Sequence, residues 1–295
     1  MSGDIARKTG AASQVQIFDT VADLRACVAK WRAGGHTVAV VPTMGFLHRA
    51  HVAMIAAAQA RCDRVIVTIF VNPKQFGENE DFDTYPRDLD GDIAKLREAG
   101  ADVAFVPRAS EMYPAGFSTS VLVAGLTDSL CGASRPGHFD GVSTVVTKLL
   151  LQCQADDAMF GEKDYQQLQV VRRMARDLDI PVRICPVPTV REDDGLAISS
   201  RNVKLSAAQR AIAPAIYREL RAAAARIAGG SSIAEAEAAG REALNQAGFD
   251  QVDYFEARDA ETLAPMVNLD RQARVFAAAW LGEARLIDNI AIGDA

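Results

Sequence analysis

The chain has 295 residues and a net charge of −6, with 49% hydrophobic and 24% charged residues, which is ordinary for a globular protein. Its pI of about 5.3 offers no basic field to nucleic acid or to an anionic membrane surface. The longest apolar runs, such as 65–71, are too short to span a bilayer. We therefore expect small-molecule partners, and an anionic ligand would need a local cluster of positive groups.

The N-terminus and the cysteines indicate the compartment. Residues 1–14 lack the apolar segment of a signal peptide and are predicted to be a flexible tail. The five cysteines are widely spaced and form no CxxC pair, which argues against a disulfide framework and a zinc knuckle. Both features predict a cytoplasmic protein.

Residues 15–188 alternate between strand-like and helix-like patterns. Apolar, β-branched segments predict buried strands at 36–44, 64–71, 101–107, 157–161 and 181–188. Helical patterns lie between them at 49–62, 89–100, 141–154 and 164–179. Continuous apolar strands separated by helices are typical of a parallel sheet covered on both faces. We predict a Rossmann-like domain here, with its ligands beyond the carboxyl ends of the strands.

The composition changes after residue 188. Residues 207–248 are rich in alanine and helical in pattern, with an interruption at 229–232. Two strand-like stretches follow at 251–259 and 273–290. The predicted class is therefore α/β: a Rossmann-like parallel sheet at 15–188, followed by a smaller α+β or lid domain at 189–295.

Two histidines follow the first predicted strand. His48 and His51 are spaced to share one side of a first helical turn, near its free N–H groups and positive dipole end. Such a position suits a phosphate, whose charge imidazoles can help to neutralise. The alternative is a pair of cap or core histidines, which this spacing alone favours.

The second strand leads into a dense polar loop at 70–92. Gln75 and the run of carboxylates at 78–83 lie where α/β enzymes place their substrate groups, although a solvated acidic loop explains the carboxylates equally well. Asp92 suits Mg²⁺ beside phosphate oxygens, and an exposed helix residue is its alternative.

Two further segments carry charge and hydroxyl groups. Lys163 stands at a strand exit and suits a triphosphate, while Asp164 suits either a ligand or a helix cap. Residues 199–201 supply two hydroxyls and a guanidinium on a segment that suits a lid over phosphates. Ordinary linker polarity with a cap at Ser206 is the alternative. The P-loop and dinucleotide glycine patterns are both absent from the sequence.

Five motifs in this order closely resemble the pantothenate synthetase (pantoate–β-alanine ligase) family of the nucleotidylyltransferase superfamily. They are "PTMGFLHRAH" at 42–51, "FVNPKQFGENEDFDTYPRD" at 70–88, "RPGHFDGV" at 135–142, "GEKDYQQL" at 161–168 and "REDDGLAISSRN" at 191–202. The resemblance runs from about residue 15 to residue 289. It implies an ATP-dependent condensation of (R)-pantoate with β-alanine through pantoyl adenylate, releasing pyrophosphate and AMP, with Mg²⁺ and a homodimeric assembly.

The resemblance also implies roles for individual residues. His48, His51, Lys163, Ser199 and Arg201 are the expected catalytic groups. Met44, Gln75 and Gln167 are expected to bind pantoate, and Asp92 matches a position associated with Mg²⁺. Tyr85 and Arg135 match positions near the active site. The residues expected to bind ATP are Met44, His51, Gly161, Lys163, Asp164, Val190, Ser199, Ser200 and Arg201.

Four residues depart from the family pattern. Ala50 replaces the glycine of an HxGH motif, where its methyl group is expected to crowd the phosphates. Arg49 stands where an acidic residue is frequent, Lys74 where a small or apolar one is expected, and Cys131 where a glutamate is common. These departures bear on turnover rate. Two other functions stay open: an adenylyl transferase with another acceptor, and an idle homologue that only binds nucleotide.

Overall fold

A computed structural model describes residues 14–78 and 80–293. The predicted N-terminal tail lies outside these ranges except for residue 14. The first six described strands form one sheet: β1 (Gln16–Phe18), β2 (Val38–Thr43), β3 (Arg64–Ile69), β4 (Val103–Phe105), β5 (Asp157–Gly161) and β6 (Arg183–Val187). The accompanying helices are α1 (Val21–Ala33), α2 (Arg49–Gln59), α3 (Leu89–Ala99), α4 (Ala109–Met112), α5 (Leu130–Ser134), α6 (His138–Cys153) and α7 (Tyr165–Asp177).

The sheet is parallel throughout, in the order β1-β4-β3-β2-β5-β6. After β2, the chain adds β3 and then β4 on one side of it. It later adds β5 and β6 on the other side, so the winding direction changes between β2 and β5. A crevice opens beyond the carboxyl ends of the strands at such a switch point. The predicted Rossmann-like fold is confirmed.

Burial explains why the central strands read as uninterrupted apolar runs. Every residue from 38 to 41 in β2 is fully buried. Val40 packs with α1, α6 and α7 on one face, whereas Val41 packs with α2 and α3 on the other. Both faces of the sheet are thus covered. Because successive side chains of a strand point to opposite faces, every position of such a strand needs an apolar side chain.

The remaining elements form a smaller α+β unit. Its elements are α8 (Ala207–Ile212), α9 (Ala215–Ala228), α10 (Ile233–Ala247), β7 (Gln251–Asp259), β8 (Ala273–Leu281) and β9 (Ala284–Ala291). The three strands form an antiparallel sheet in the order β7-β8-β9. The stretch expected as one strand at 273–290 is therefore a hairpin that turns at residues 282–283. Among the described helices, none has the length and apolar character needed to cross a membrane.

Candidate active site

A large cleft of about 1220 Å³ lies at the carboxyl edge of the parallel sheet. It is lined by segments that follow β2, β3, β5 and β6, and by residues of the C-terminal antiparallel sheet. Twelve predicted site residues line it: Met44, His48, His51, Gln75, Gly161, Lys163, Asp164, Gln167, Val190, Ser199, Ser200 and Arg201. Asp92 does not line the cleft.

The loop after β2 is shaped from below by Asp92. Its carboxylate accepts hydrogen bonds from the backbone N–H of Phe46, at 2.8 Å, and of Leu47, at 2.6 Å. Phe46 has a φ of 51° and Gly45 a φ of 82°, and a Cβ on Gly45 would lie 2.9 Å from the Asp92 carboxylate. Asp92 is 1% exposed, so the alternative of an exposed helix residue is wrong. Its position indicates that it holds this loop in shape.

The two histidines stack at the start of α2. Their ring centroids are 4.0 Å apart, and the Nδ1 atom of His51 accepts the backbone N–H of His48 at 3.1 Å. This bond leaves the Nε2 atom of a neutral His51 to carry the proton. The Nδ1 atom of His48 is buried without a hydrogen-bond partner in the described part of the chain.

Both histidines are neutral at physiological pH in this structure. Burial is the main cause, with the charge of Lys163 second for His48, and it lowers the pKa of His48 from 6.5 to about 4. Burial, followed by the neighbouring His48 ring, lowers the pKa of His51 to about 3. Neutral imidazoles at this position can act as N–H donors to a phosphate, beside the Lys163 side chain.

The 3₁₀ turn Pro73–Gln75 presents Gln75 to the cleft. Its Oε1 atom accepts from the Asn72 side chain at 3.1 Å, and its Nε2 donates to the Met44 sulfur at 3.0 Å. Asn72 is fixed in turn, because it donates to the carbonyl of Gly141 and accepts from the Tyr113 hydroxyl. These partners fix the orientation of the Gln75 amide at the cleft.

Arg135 and His138 support the same turn from the opposite side. Arg135 donates from Nε to Glu80 at 2.7 Å, and its Nη1 lies 3.0 Å from His138 Nε2. The Nδ1 of His138 lies 2.8 Å from the Gln75 carbonyl. An arginine can only donate, so His138 accepts at Nε2 and donates from Nδ1. Burial, followed by the charge of Arg135, lowers the pKa of His138 to about 4, which agrees with this neutral form.

The 3₁₀ turn Glu162–Asp164 follows β5 and carries Lys163. The side-chain amide of Asn289, on β9, donates to the carbonyls of Glu162 and Lys163, both at 2.9 Å. The ammonium of Lys163 lies 3.5 Å from the Asp164 carboxylate. Asp164 takes the N-cap position of α7 without a side-chain cap bond, so the helix-cap alternative is not realised.

The segment 199–204 also contributes to the lining of the cleft. Ser200 lies 3.1 Å from the Tyr85 hydroxyl, and Arg201 donates to Asp81 at 3.1 and 3.2 Å. The acidic run is thus at least partly paired rather than simply solvated. Ser206 caps α8, as the alternative explanation of this segment expects. A role of residues 199–201 over bound phosphates stays a prediction.

The departures from the family pattern have structural partners. Arg49 pairs with Glu192, and Lys74 lies over the rings of Tyr113 and Phe117, at 5.3 and 5.4 Å. Cys131 contacts the Tyr254 hydroxyl at 3.1 Å and Arg285 at 3.3 Å, and so joins α5 to the C-terminal sheet. Ala50 lies in the first turn of α2 and lines the cleft beside the histidines.

Two supporting side chains, Tyr113 and Asn289, were not predicted from the sequence: Tyr113 fixes Asn72, and Asn289 fixes the turn that carries Lys163. The bonds that connect Asn289 to the Lys163 turn span more than 120 residues along the chain. Within the described residues, no group of three or more His, Cys, Asp or Glu side chains is arranged to hold a metal ion.

Comparison with known proteins gives a consistent result. The family model described as pantoate-beta-alanine ligase matches residues 16–291. Pantothenate synthetases from Chelativorans sp. and Caulobacter vibrioides are 57% and 55% identical, each over 94% of this chain and 98% of its own length. The crystal structure of pantothenate synthetase from Thermus thermophilus has a TM-score of 0.90 at 50% identity, covering 94% of this chain and 99% of that one.

A second solved structure is more distant in sequence. It is the pantoate-beta-alanine ligase from Francisella tularensis, complexed with beta-gamma ATP and beta-alanine. Its TM-score is 0.80 at 33% identity, over 95% of this chain and 99% of that one.

Proposed function

Since the chain belongs to the pantoate–β-alanine ligase family, and is therefore a ligase that joins pantoate to β-alanine with ATP, we propose that its cleft carries out both halves of that reaction. The observation that carries the assignment of residues is the convergence of twelve predicted residues, from separate segments of the chain, on one cleft. The complex of the Francisella relative with a form of ATP and β-alanine supports the binding of both ligands here.

In the first half-reaction, a pantoate carboxylate oxygen attacks the α-phosphorus of ATP, and pyrophosphate leaves. The protein contributes position and charge neutralisation rather than covalent chemistry. We assign Lys163 and Arg201 as fixed cations, and His48 and His51 as neutral N–H donors to the phosphates. A donor held in a buried site acts most strongly where charge develops in the transition state.

Gln75 and Gln167 are assigned to pantoate. The Asn72 amide holds Oε1 of Gln75 and the Met44 sulfur accepts one hydrogen of its Nε2, so we assign the second Nε2 hydrogen to a carboxylate or hydroxyl oxygen of the substrate. Met44 contacts Gln75 and lines the same cleft as the histidines, so we assign it to both the pantoate and the ATP sites.

In the second half-reaction, the β-alanine nitrogen attacks the acyl carbon of pantoyl adenylate. The new C–N bond replaces the C–O bond to phosphate, AMP departs, and the nitrogen loses a proton. An acyl adenylate reacts with water, so we assign the segment 199–201 to covering it during this step.

Mg²⁺ is proposed to enter with the ATP phosphates, whose oxygens it prefers. Asp92 does not fit the predicted ligand role well, because both of its carboxylate oxygens accept backbone N–H groups and it lies outside the cleft lining. We assign it to positioning the loop that carries His48.

We also propose a homodimer in the cytoplasm. Five widely spaced free thiols suit a reducing compartment. Light scattering after gel filtration should give twice the 31.6 kDa chain mass.

The testing experiment measures AMP and pyrophosphate release from ATP and Mg²⁺ with pantoate, in the presence and absence of β-alanine. We expect rapid AMP release only when both substrates are present. Pyrophosphate release without amine-dependent AMP would indicate a different acceptor, and ATP binding with no turnover would indicate an idle homologue.

A His48→Ala variant tests the histidine assignment. We expect kcat to fall at least about 100-fold with little change in the KM for ATP, because a transition-state donor is lost. A variant with normal turnover would remove His48 from the mechanism.

A further inference from the structure

Three charged side chains meet across the cleft at the segment 199–204. The Asp81 carboxylate accepts from the Arg201 guanidinium at 3.1 and 3.2 Å and from the Lys204 ammonium at 2.8 Å. The three side chains are 16–25% exposed, so water screens them only partly. Lys204 lines the same cleft as the predicted phosphate-binding residues, and no role was predicted for it from the sequence.

The geometry around Asp81 matches the way proteins hold phosphate. A guanidinium fork and an ammonium that converge on two oxygens of one anion are a common arrangement for phosphate oxygens as well as for carboxylates. Burial alone would raise the pKa of Asp81, but hydrogen bonds and charge from Arg201 and Lys204 lower it to about 2. The carboxylate is therefore a full anion at neutral pH.

We infer that Lys204 and Arg201 together bind the polyphosphate, and that Asp81 occupies their anion position until ATP or pyrophosphate displaces it. This inference rests on the proposed function, since it identifies further residues for the phosphates of the same reaction. Asp81 is a positioning residue in this scheme. Lys204 is a binding residue.

The displaced carboxylate gives the site two properties. Without ATP, two cations in a half-buried cleft are already paired, so weak competing anions gain little by entering. After pyrophosphate has formed, return of Asp81 to the two cations favours its departure. Asp81 thus weakens polyphosphate binding in exchange for selectivity and product release.

A purely structural clamp makes the opposite prediction. If Asp81 only held the loop 80–85 against the segment 199–204, its replacement would loosen both walls and weaken polyphosphate binding. The direction of the change in affinity therefore separates the two explanations.

Calorimetric titration with inorganic pyrophosphate measures this direction without turnover. We expect Asp81→Asn to bind pyrophosphate about tenfold more tightly and Lys204→Met about tenfold more weakly, since a contact to a charged group is worth at least that ratio. Lys204→Arg should keep affinity near that of the natural chain. Matched controls are Asp83→Asn, on the same loop, and Lys30→Met, on α1, both at exposed positions.

Equal or weaker binding in Asp81→Asn, or a Lys204→Met affinity no different from that of Lys30→Met, overturns the inference. If Asp81→Asn does not fold, the comparison of Lys204→Met with Lys204→Arg decides alone. If the unsubstituted protein releases AMP normally but all variants bind pyrophosphate with equal affinity, only this inference is refuted. If the unsubstituted protein neither binds pyrophosphate nor releases AMP, the proposed function is refuted as well.

Discussion

Replacing Gly141 with alanine should damage pantoate binding, because the added methyl group would displace the turn that carries Gln75. Gly141 lies in the first turn of α6, against the 3₁₀ turn that carries Gln75. A Cβ at this position would lie 2.2 Å from the carbonyl oxygen of Lys74 and 2.5 Å from the backbone nitrogen of Gln75. Neither contact can be relieved by a side-chain rotation, because both partners are backbone atoms.

The size of the effect follows from these distances. Ordinary contact begins near 3.4 Å, so the turn must move about 1 Å away from the helix. Overpacking of this kind costs about 1–3 kcal/mol, against a gain of up to about 1 kcal/mol for alanine in a helix. We expect a net loss of about 1–2 kcal/mol in the free energy of unfolding. A displacement of about 1 Å at Gln75 should lower kcat/KM for pantoate by about 100-fold.

The assay is steady-state kinetics at saturating ATP and β-alanine, combined with urea unfolding. The KM for ATP should hardly change, because the phosphate-binding segments lie elsewhere in the cleft. Ser143→Ala is the control, since it alters the same helix and removes only a buried hydroxyl without a partner in the described residues. An unchanged kcat/KM for pantoate in Gly141→Ala would show that the turn tolerates the shift and that this reasoning is wrong.

Three other predictions concern the cleft and its supports. Ala50→Gly should leave kcat equal or higher if its methyl group crowds the phosphates, and a clear loss in a turnover assay would show that the helix needs alanine. Arg191→Met should lower the free energy of unfolding in urea by about 3–5 kcal/mol, because it leaves the fully buried Asp288 carboxylate without its partner. Arg210→Met should cost less than about 1 kcal/mol, because its partner Asp194 is partly exposed. Equal losses in the two variants would contradict this prediction. The three partly buried histidines, His48, His51 and His138, have folded pKa values of about 3 to 4, below the ordinary 6.5, so protonation favours the unfolded chain. Stability should be complete above pH 6.5 and fall towards pH 4 by up to about 1.4 kcal/mol per pH unit for each histidine, and a flat urea midpoint over this range would refute the assignment.

The central fold was predictable because burial on both faces leaves a strong sequence signal. Strands β2 to β6 all fall on predicted segments, and α3 ends as expected at Gly100, which has a φ of 72°. Strand β1 and helix α1 were not predicted. Strand β1 has only three residues, none of them buried, and α1 buries only Leu24 and Val28, so neither produces a clear period.

The candidate site was predictable in its members more than in its connections. Polar residues directly after buried strands have few structural reasons to be there, which is why Gln75 and Lys163 stood out. The pairing of Asp81 with Arg201 spans 120 residues, and that of Asn289 with Lys163 spans 126. No local pattern encodes contacts over such separations. The neutral state of the histidines likewise depends on burial, which the two-histidine spacing does not reveal.

The two bonds from Asn289 have a consequence for how the protein is made. Strand β9 supplies Asn289 to the Lys163 turn and Asp288 to Arg191, yet it is the last strand along the described chain. During synthesis, the parallel sheet has all of its strands long before β9 has left the ribosome. The parallel sheet of a nascent chain can therefore form well before the chain can bind a nucleotide. ATP binding should report that β9 has emerged from the ribosome.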